Sequence, residues 1–279
     1  MLAPNKNKLS SVVALVLFLK DFFRKTIGID IHKTKKGYQY NPSINYLFSQ
    51  LRKKVIENTN ADLIIDGGAN EGQYGSDLIH DGINIIRRNI WSFEPLSRPF
   101  KKLESISKEH NGWKSFQFAL GDKLEKTEIN ISNNDVSSSI LQMTEGHTFF
   151  SPDTFNTGEK ELIEVRTLNS FEAELDPYKN IFLKIDVQGF EENVLRGANN
   201  IIPKVVAIEI ELSLQETYKG QWLIEEALTY LRQSGFQILS FEPVMWIDNG
   251  AMGHINALLV RKELLSQLKL STTGTPYKA

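Results

Sequence analysis

Five acidic residues stand at or just after the ends of predicted strands, and they are the residues of this chain best suited to chemistry. They are Asp66, Glu94, Asp122, Asp186 and Glu211. Each closes or follows a short apolar run rich in β-branched or aromatic residues, which is typical of buried strands. In open α/β sheets, ligands bind beyond the carboxyl ends of the strands. The sequence therefore predicts an acid-lined site at one edge of a sheet.

The first of these acids opens a glycine-rich turn with the spacing D-x-G-x-N-x-G. The turn contains Asp66, Gly68, Asn70 and Gly72, and an amphipathic stretch follows it. Gly68 can take a positive φ angle or let a ligand approach the backbone, and Gly72 lets the next helix pack closely. The N–H groups at the start of that helix suit an anionic group, and Glu94 can accept hydrogen bonds from ribose hydroxyls. The pattern indicates a nucleoside site.

The turn differs from the common phosphate-binding loops. Counted from Gly68, the dinucleotide pattern G-x-G-x-x-G has Asn70 and Gln73 in its second and third glycine positions, and the pattern G-x-x-x-x-G-K-[ST] does not occur. An acid at the strand end suits a cationic ligand better than a diphosphate. S-adenosylmethionine is a cationic nucleoside that carries an amino-acid carboxylate, and we predict it as the ligand.

Two acids are candidates for a methyl-transfer step. Methyl transfer requires that the two reactants are positioned, and an acceptor that loses a proton also needs a group to take it. We predict Asp186 as base or as the residue that orients the acceptor, with hydrogen bonding to the cofactor or its own loop as the alternative. Glu211, which shares a strand face with Glu209 at period two, is the second candidate, with an ion pair to Lys184 or another base as its alternative.

Histidine titrates near neutral pH and could also act as base. His254 stands near the end of a predicted strand on the side of the site, and His147 could act from an inserted loop. No spacing typical of a metal site, such as H-E-x-x-H, occurs. We therefore predict no metal, although a loosely held Mg²⁺ or Ca²⁺ at Asp186 and Glu211 stays open.

Composition narrows the class of protein further. A formal net charge of -2 provides no attraction for nucleic acid, so none is expected as a partner. The chain lacks cysteine, which excludes disulfides and thiolate chemistry and fits a cytoplasmic protein. Its 279 residues are enough for one large α/β domain.

An alternation of short apolar runs and amphipathic stretches must position these acids. The predicted strands cover residues 63–66, 90–94, 116–120, 181–186, 205–211, 236–241 and 255–261. The predicted helices lie near residues 72–80, 96–108, 191–196 and 223–233. This alternation favours a mainly parallel, doubly wound sheet, and the last two strands should pair antiparallel because only a loop joins them. Residues 126–166 are predicted to form a β-rich insertion with a mobile loop around residues 144–158.

Over roughly residues 60 to 262, the chain resembles the FkbM family of S-adenosylmethionine-dependent methyltransferases. The blocks that carry the resemblance are DGGANEGQYG, FEPLSRPFKKL, ALGD, VRTLNSF, LKIDVQGFEENVLRGA and ELSLQETYKGQ, and LKIDVQGFE is the most specific of them. The resemblance implies a class I methyltransferase fold, which is a Rossmann-like sheet of seven strands with the last one antiparallel. It also implies O-methylation of a hydroxyl on a sugar, a glycan or another natural product.

The resemblance further implies which residues contact the cofactor. The turn would hold the methionine end, Glu94 the ribose, and Asp122 with its neighbours the adenine. The implied contacts are Asp66, Gly68, Ala69, Asn70, Gly72, Tyr74, Glu94, Pro95, Leu120, Gly121, Asp122, Ser138 and Asp186. The last strand of the family usually carries a Gln and an Asp two residues apart, whereas this chain has His254 and Asn256. That departure predicts either a different acceptor preference or a degraded acceptor site.

The domain boundaries follow from the same patterns. We predict a helical extension over residues 1–45, the methyltransferase domain over residues 46–262 and a tail over residues 263–279. The apolar run VVALVLFL at residues 12–19 is too short to span a bilayer. A packed amphipathic helix, peripheral membrane contact and a cleaved export signal are the alternatives for it. No pattern specifies an oligomeric state.

Two other functions compete with methyl transfer. The first is an NAD-dependent sugar-nucleotide enzyme, but the turn argues against it, and Tyr178, Tyr218 and Tyr230 all lack the Lys four residues later that a Y-x-x-x-K motif needs. The second is a non-catalytic, cofactor-binding protein of a glycan-assembly pathway, which the departure at His254 and Asn256 would explain.

Overall fold

The computed structural model describes residues 29–34, 37–42, 44–247 and 250–268, with side chains from residue 44 onward. The chain divides into two compact units, residues 1–52 and 53–279. In the first unit, strands β1 (Ile29–Thr34) and β2 (Gly37–Pro42) pair antiparallel. The expected helical extension is therefore wrong for these residues, where Ile29 and Ile31 alternate with polar residues as strands require. The apolar run at residues 12–19 lies outside the described residues.

The remaining elements alternate along the chain much as predicted. The strands are β3 (Leu63–Gly67), β4 (Asn89–Phe93), β5 (Trp113–Phe116), β6 (Ala119–Leu120), β7 (Glu125–Ser132), β8 (Asn156–Arg166), β9 (Ile181–Ile185), β10 (Val205–Ser213), β11 (Phe236–Trp246) and β12 (Met252–Arg261). The helices are α1 (Ile44–Asn58), α2 (Gln73–His80), α3 (Ser97–Lys108), α4 (Glu145–Phe150), α5 (Glu172–Leu175), α6 (Glu191–Arg196) and α7 (Ile224–Gln233). Short 3₁₀ segments cover Leu168–Phe171, Ile202–Lys204 and Lys262–Leu268. No helix among the described residues is long and apolar enough to cross a membrane.

Seven of these strands form one mixed sheet in the second unit. Their spatial order is β11-β12-β10-β9-β3-β4-β5. Strand β12 runs antiparallel to both of its neighbours, β10 and β11, and the pairs from β10 to β5 are all parallel. The strand order reverses between β3 and β9, which places the expected ligand crevice at their carboxyl ends. The predicted seven-stranded, doubly wound sheet with an antiparallel last strand is confirmed.

Burial explains why the central strands read as continuous apolar runs. Every residue of β3, β9 and β10 is buried, because a parallel sheet is covered on both faces. The core joins strand residues such as Leu183 to helical residues such as Val194 and Leu231. Charged residues in these strands, such as Asp66 and Lys184, must therefore find partners inside the protein.

The predicted strand at residues 116–120 is wrong in one respect. Strand β5 ends at Phe116 in the main sheet, whereas β6 pairs with β8 in a separate three-stranded sheet with β7. Phe116 stacks on Phe93, and Phe118 stacks on Phe171, so the two aromatic residues of the apolar run pack against different partners. A local pattern cannot show which sheet an apolar run joins. Asp122 consequently follows β6 and is exposed instead of ending a strand of the main sheet.

The insertion contains the predicted strands, but part of its predicted loop is helical. Helix α4 lies within residues 144–158, and its His147 and Phe150 are buried. The backbone N–H of Thr144 donates to the carbonyl of Thr217 (2.9 Å), and the Thr144 hydroxyl donates to the carbonyl of Glu216 (2.7 Å). A six-residue helix is too short to produce a clear periodic signal. These contacts tie α4 to the segment after β10.

Candidate active site

The glycine-rich turn after β3 has left-handed backbone at every second residue. The φ angles are 77° at Gly68, 46° at Asn70 and 91° at Gly72. A Cβ on Gly68 would lie 1.7 Å from the carbonyl oxygen of Asp186, and one on Gly72 would lie 3.1 Å from a methyl of Leu103. Asparagine tolerates this conformation better than most residues. The predictions that Gly68 takes a positive φ angle and that Gly72 allows close packing are confirmed.

Glu94, directly after β4, braces this turn. One carboxylate oxygen accepts the backbone N–H of Asn70 (2.9 Å), and the other accepts that of Leu96 (2.8 Å). Only 5% of Glu94 is exposed, and burial raises the pKa of its carboxyl to about 7. A carboxylate oxygen can accept more than one hydrogen bond, so ribose contact stays a prediction that the geometry allows.

Asp66 is completely buried, and the positive charge beside it belongs to a side chain of the protein, Lys184. Lys184 lies 3.1 Å from one carboxylate oxygen, and the Ser92 hydroxyl donates to the other (3.2 Å). Lys184 also donates to the carbonyl of Gly68 (3.1 Å) and lies 3.7 Å from Asp186. Burial alone would lower the pKa of Lys184, but the carboxylates of Asp66 and Asp186 raise it, so the lysine is a cation. The role of Asp66 in cofactor binding stays a prediction.

Asp186 joins the turn to the rest of the site. Its backbone N–H donates to the carbonyl of Gly67 (3.1 Å), and its own carbonyl is the group that excludes a side chain at position 68. About a third of its side chain is exposed (35%). Asp186 directly follows strand β9, which lies beside β3 in the sheet, as the family resemblance implies. A carboxylate therefore stands directly beside the predicted cofactor turn.

Gln188 is a site residue whose role the sequence did not reveal. Its amide nitrogen donates to Asp186 (2.8 Å) and to Glu211 (3.0 Å), and its amide oxygen accepts the Tyr218 hydroxyl (2.8 Å). Its backbone is left-handed with φ 56°, and its carbonyl accepts the Ser139 hydroxyl (2.6 Å). The Gln-Gly pair in the stretch IDVQGF indicates a turn, but it does not indicate what the amide contacts. The amide bridges two carboxylates that would otherwise repel each other.

Glu211 pairs with His254 and not with Lys184. The Nδ1 atom of His254 lies 3.1 Å from Oε2 of Glu211, and its Nε2 atom lies 2.7 Å from the Thr217 hydroxyl. His254 is 1% exposed and sits opposite Ser213 in the pairing of β12 with β10. The predicted alternative for Glu211 is an ion pair with Lys184 or another base, and the base that it contacts is His254 instead of Lys184.

The second acid on the same strand face has a separate partner. Glu209 accepts the hydroxyl of Tyr74 (3.0 Å), and the Tyr74 ring also lies 5.3 Å from the Lys184 ammonium. Asn256, the other departure from the family pattern, donates to Glu242 (3.1 Å). Asn256 lies opposite Glu211 in the strand register.

Asp186, Glu211 and His254 line one pocket of about 440 Å³. Its polar lining consists of Ser137, Ser151, Asp186, Gln188, Glu211 and His254. Its apolar lining consists of Val136, Phe150, Val244, Met245 and Trp246. Strand β11 extends beyond its predicted end at residue 241, and the additional residues form one wall. The structure thus brings the three catalytic candidates together.

The other predicted cofactor residues are distributed around the turn. The backbone N–H of Ala69 donates to the carbonyl of Phe93 (3.0 Å), and Pro95 stands between the two residues of the Glu94–Leu96 contact. A methyl of Leu120 would lie 3.3 Å from a Cβ on Gly67. Leu120 therefore adjoins the turn, and cofactor contact by these residues stays a prediction.

The remaining predicted contacts lie just before the insertion, at Gly121, and within it, at Ser138. Gly121 packs against Val165 and Phe190. The hydroxyl of Ser138 accepts the backbone N–H of Ser132 (3.0 Å), and its neighbour Ser139 contacts Gln188. Gly121 and Ser138 thus support the surrounding loops.

His147 is buried and does not line the pocket. The structure therefore does not support the prediction that His147 acts as base from an inserted loop. Neither ring nitrogen has a hydrogen-bond partner among the described residues. Its ring lies edge-on to Tyr218 at 5.3 Å. Burial and the nearby His254 lower the pKa of His147 to about 4, so the ring is neutral at physiological pH. The described residues contain no group of three or more acids and histidines that could hold a metal.

The fold and the turn together define a class of enzyme. The sheet has seven strands with an antiparallel last strand, a glycine turn after its first strand and an acid after its second. These features are those of a class I S-adenosylmethionine-dependent methyltransferase. The cofactor fits the residues present, because Gly68 and Gly72 keep the turn free of side chains and Glu94 provides an acceptor for ribose hydroxyls.

The chain belongs to the FkbM methyltransferase family. The family model described as "Methyltransferase FkbM domain" matches residues 66–238, which is more than half of the chain. The resemblance inferred from the sequence blocks is confirmed, and so is the prediction of S-adenosylmethionine as the cofactor. No curated protein sequence matches this chain.

Several solved structures are distantly similar to this chain. An uncharacterised protein from Listeria monocytogenes serotype 4b is 10% identical, with 77% of this chain and 67% of that chain covered and a TM-score of 0.42. An rRNA methylase from Streptococcus thermophilus is 9% identical, with 77% and 95% covered and a TM-score of 0.39. Magnesium protoporphyrin IX methyltransferase from Synechocystis PCC 6803 is 10% identical, with 88% and 96% covered and a TM-score of 0.39. The family match, and not these distant similarities, identifies the chain.

Proposed function

We propose that this methyltransferase acts on a hydroxyl of a saccharide or of another polyhydroxylated natural product. The observation that carries the proposal is the position of Asp186. Its backbone contacts the cofactor turn through Gly67 and Gly68, while its carboxylate lines the pocket. A hydroxyl bound to that carboxylate is thereby held next to the methyl-donor site.

The residues of the pocket suit a hydroxyl acceptor. S-adenosylmethionine, when bound, supplies an electrophilic methyl group. Asp186 accepts a hydrogen bond from the acceptor hydroxyl and takes its proton as the oxygen becomes a nucleophile. Gln188 holds the Asp186 carboxylate by its 2.8 Å hydrogen bond, so the base keeps one orientation. Positioning of this kind contributes more to the rate than the base itself, roughly 7–11 kcal/mol in favourable cases.

The pocket lining also indicates the charge of the acceptor. Among the described residues that line it, none is Lys or Arg and two are acids, so the lining has a net negative charge even when His254 carries a positive charge. A phosphate or carboxylate group would therefore be repelled. Trp246, 57% exposed at the pocket wall, offers a flat apolar surface of the kind that packs against the C–H face of a sugar ring. These features favour a neutral polyhydroxylated acceptor.

The test is methyl transfer from labelled S-adenosylmethionine to glycans and small saccharides extracted from the host. Replacing Asp186 by Asn should lower kcat by about 10²–10⁴-fold while cofactor binding is retained in calorimetry. The matched control is Asp176→Asn, because Asp176 is an exposed residue between α5 and β9, outside the pocket. Full activity in Asp186→Asn would contradict the assignment. Cofactor binding without transfer to any hydroxyl acceptor would favour a non-catalytic, cofactor-binding protein.

A further inference from the structure

The hydrogen bonds around His254 determine which of its ring nitrogens carry a proton. Gln221 lies at one end of this network. The amide oxygen of Gln221 accepts the backbone N–H of Tyr218 (2.5 Å), and a backbone N–H can only donate. The same oxygen lies 2.9 Å from the hydroxyl of Thr217. Two oxygens at this distance need a proton between them, so the single Thr217 proton points to Gln221.

The direction of the contact between Thr217 and His254 follows. The Thr217 hydroxyl has one proton, and that proton is directed to Gln221. At 2.7 Å from the hydroxyl, the Nε2 atom of His254 must therefore donate its own proton to the Thr217 oxygen. This ring nitrogen is protonated.

The contact on the other side of the ring has the same direction. Oε2 of Glu211 accepts from the amide nitrogen of Gln188 (3.0 Å), which also donates to Asp186. The Tyr218 hydroxyl lies 2.8 Å from the amide oxygen of Gln188 and 3.0 Å from the carbonyl of Ser137, and the amide nitrogen of Gln188 faces the two carboxyl groups. A proton between Nδ1 and Oε2 of Glu211, which are 3.1 Å apart, belongs to the imidazole as the stronger base of the two groups, so Nδ1 of His254 is a donor as well. Both ring nitrogens of His254 therefore carry protons.

We propose that His254 is a fixed imidazolium cation that positions Glu211, so that Glu211 anchors an acceptor hydroxyl and Asp186 alone takes the proton. His254 cannot serve as the general base, because both of its nitrogens are already protonated and both face protein atoms. Within the described part of the chain, the hydrogen bonds to Glu211 engage Oε2, and Oε1 is left for a substrate hydroxyl. The assignment of His254 is independent of the reaction, while the roles of Glu211 and Asp186 rest on the proposed function.

The charges that surround His254 agree with this assignment. A buried cation is costly unless it is paired, and His254 has the Glu211 carboxylate from β10 as its partner. Burial is the largest single effect and lowers the pKa of His254, but the charge and hydrogen bond of Glu211, together with the charges of Glu191 on α6 and Asp186 after β9, outweigh it. His147, on α4, is neutral because its pKa is lowered to about 4, and it adds no competing positive charge. The net result is a pKa of His254 above the ordinary value for histidine.

The experiment that decides the charge is nuclear magnetic resonance of the full chain with ¹⁵N-labelled histidine. The chain contains five histidines, and the signals of His254 are assigned by their loss in His254→Gln. At about pH 7.5, above the ordinary pKa of histidine, two-bond ¹H–¹⁵N correlations should show both nitrogens of His254 protonated, whereas His147 should show a neutral ring. A neutral tautomer of His254 at this pH would overturn the proposal.

Two variants test the cause of the charge. Glu211→Gln should bring the midpoint of His254 titration down to the ordinary value of histidine or below it, because burial then acts without its main opposing charge. Glu209→Gln, the same change two residues earlier on β10, should leave the titration unchanged. Thr217→Val removes the Nε2 acceptor, together with the hydrogen bond from the hydroxyl to Gln221, and should also lower the midpoint, which keeps the test valid if Glu211→Gln does not fold. An unchanged midpoint in folded Glu211→Gln would overturn the proposal.

The consequence for the reaction is tested by kinetics on His254→Gln. The acceptor KM should rise by roughly 10- to 100-fold, the loss expected for a charge-assisted hydrogen bond, while the donor KM stays close to the wild-type value. The acid limb of the pH–rate profile should persist, because this variant leaves the proposed base, Asp186, unchanged. Disappearance of that limb would assign the base to His254 and overturn the proposal. If no hydroxyl acceptor is ever methylated, the proposed function fails, and the resonance experiment still decides the charge of His254.

Discussion

The chemistry of this protein depends on a few side chains that are held in pairs. Gln188 bridges Asp186 and Glu211 with one amide nitrogen, and this arrangement keeps two carboxylates close together without direct repulsion. Asp66 is held by Lys184 as a buried ion pair next to the turn. Removing one partner of such a pair leaves an uncompensated buried charge, which costs far more than the pair contributes. Each of these acids is therefore held by a hydrogen-bond or ion-pair partner.

Glu94 should make cofactor binding depend on pH. Its carboxyl has a pKa of about 7 in the folded protein because it is buried, and a ligand whose hydroxyls donate to it prefers the ionised form. Below this pKa the carboxyl becomes protonated, so binding of S-adenosylhomocysteine should weaken, by up to roughly tenfold per pH unit. Calorimetry from about pH 8 to about pH 5.5, on both sides of this pKa, measures the effect.

The control for this prediction is Glu109→Gln, which replaces an exposed acid directly after α3 and should keep the pH dependence. Glu94→Gln should bind weakly at every pH, without a slope across the same range. If wild-type affinity were constant over this range, Glu94 would not contact the ribose as an ionised group.

Among the secondary-structure elements, the turn after β3 and the loop after β9 are built against each other. Gly68 has a φ angle of 77°, and the Asp186 carbonyl fills the space where its side chain would be. The backbone N–H of Asp186 returns a hydrogen bond to Gly67 (3.1 Å). The two loops therefore form one surface, and the position of the acceptor pocket relative to the cofactor turn is a property of the backbone.

Gly68→Ala should be much more damaging than the same change at a comparable glycine. Gly158 has a φ angle of 85°, and no atom lies within 4 Å of the position that a Cβ would take there. Gly158→Ala therefore costs only the left-handed strain, about 1–2 kcal/mol. Gly68→Ala adds a collision with backbone and should exceed that cost. Urea unfolding of both variants measures the difference, and equal losses would contradict the packing argument.

Considered across the entire domain, the pocket is assembled from segments far apart in the sequence. The insertion contributes Val136 and Phe150, the strand ends contribute the acids, and β11 contributes Val244 through Trp246. Phe150 packs where β12 carries Gly253, since a Cβ there would lie 2.9 Å from the Phe150 ring. Acceptor selection is thus a property of the assembled domain and not of one motif.

Trp246→Ala should weaken acceptor binding without affecting the cofactor. Loss of an aromatic surface that packs on the acceptor should raise the acceptor KM by about 3- to 10-fold. The affinity for S-adenosylhomocysteine and the melting temperature should change little, because Trp246 is 57% exposed. Phe241→Ala is the control, since Phe241 lies on the same strand but outside the pocket lining. An unchanged acceptor KM would remove Trp246 from the acceptor site.

The order of strands and helices, the glycine turn and the family could all be predicted from the amino-acid sequence. These features depend on residues that are close together in the chain: the alternation of apolar runs, the spacing of Gly68 and Gly72, and the block LKIDVQGFE. Four of the five acids at the strand ends were predictable for the same reason, since strands of one parallel sheet end at one edge, whereas Asp122 follows a strand of the smaller sheet.

The partners of those residues could be read only from the folded domain. Lys184 pairs with Asp66 instead of Glu211, His254 is enclosed between Glu211 and Thr217, and the apolar run at residues 116–120 is shared between two sheets. Each of these outcomes joins groups distant in sequence, and a buried charge takes whichever partner the fold brings within hydrogen-bonding distance. The local pattern placed the acids at the site, and long-range packing assigned each one its partner.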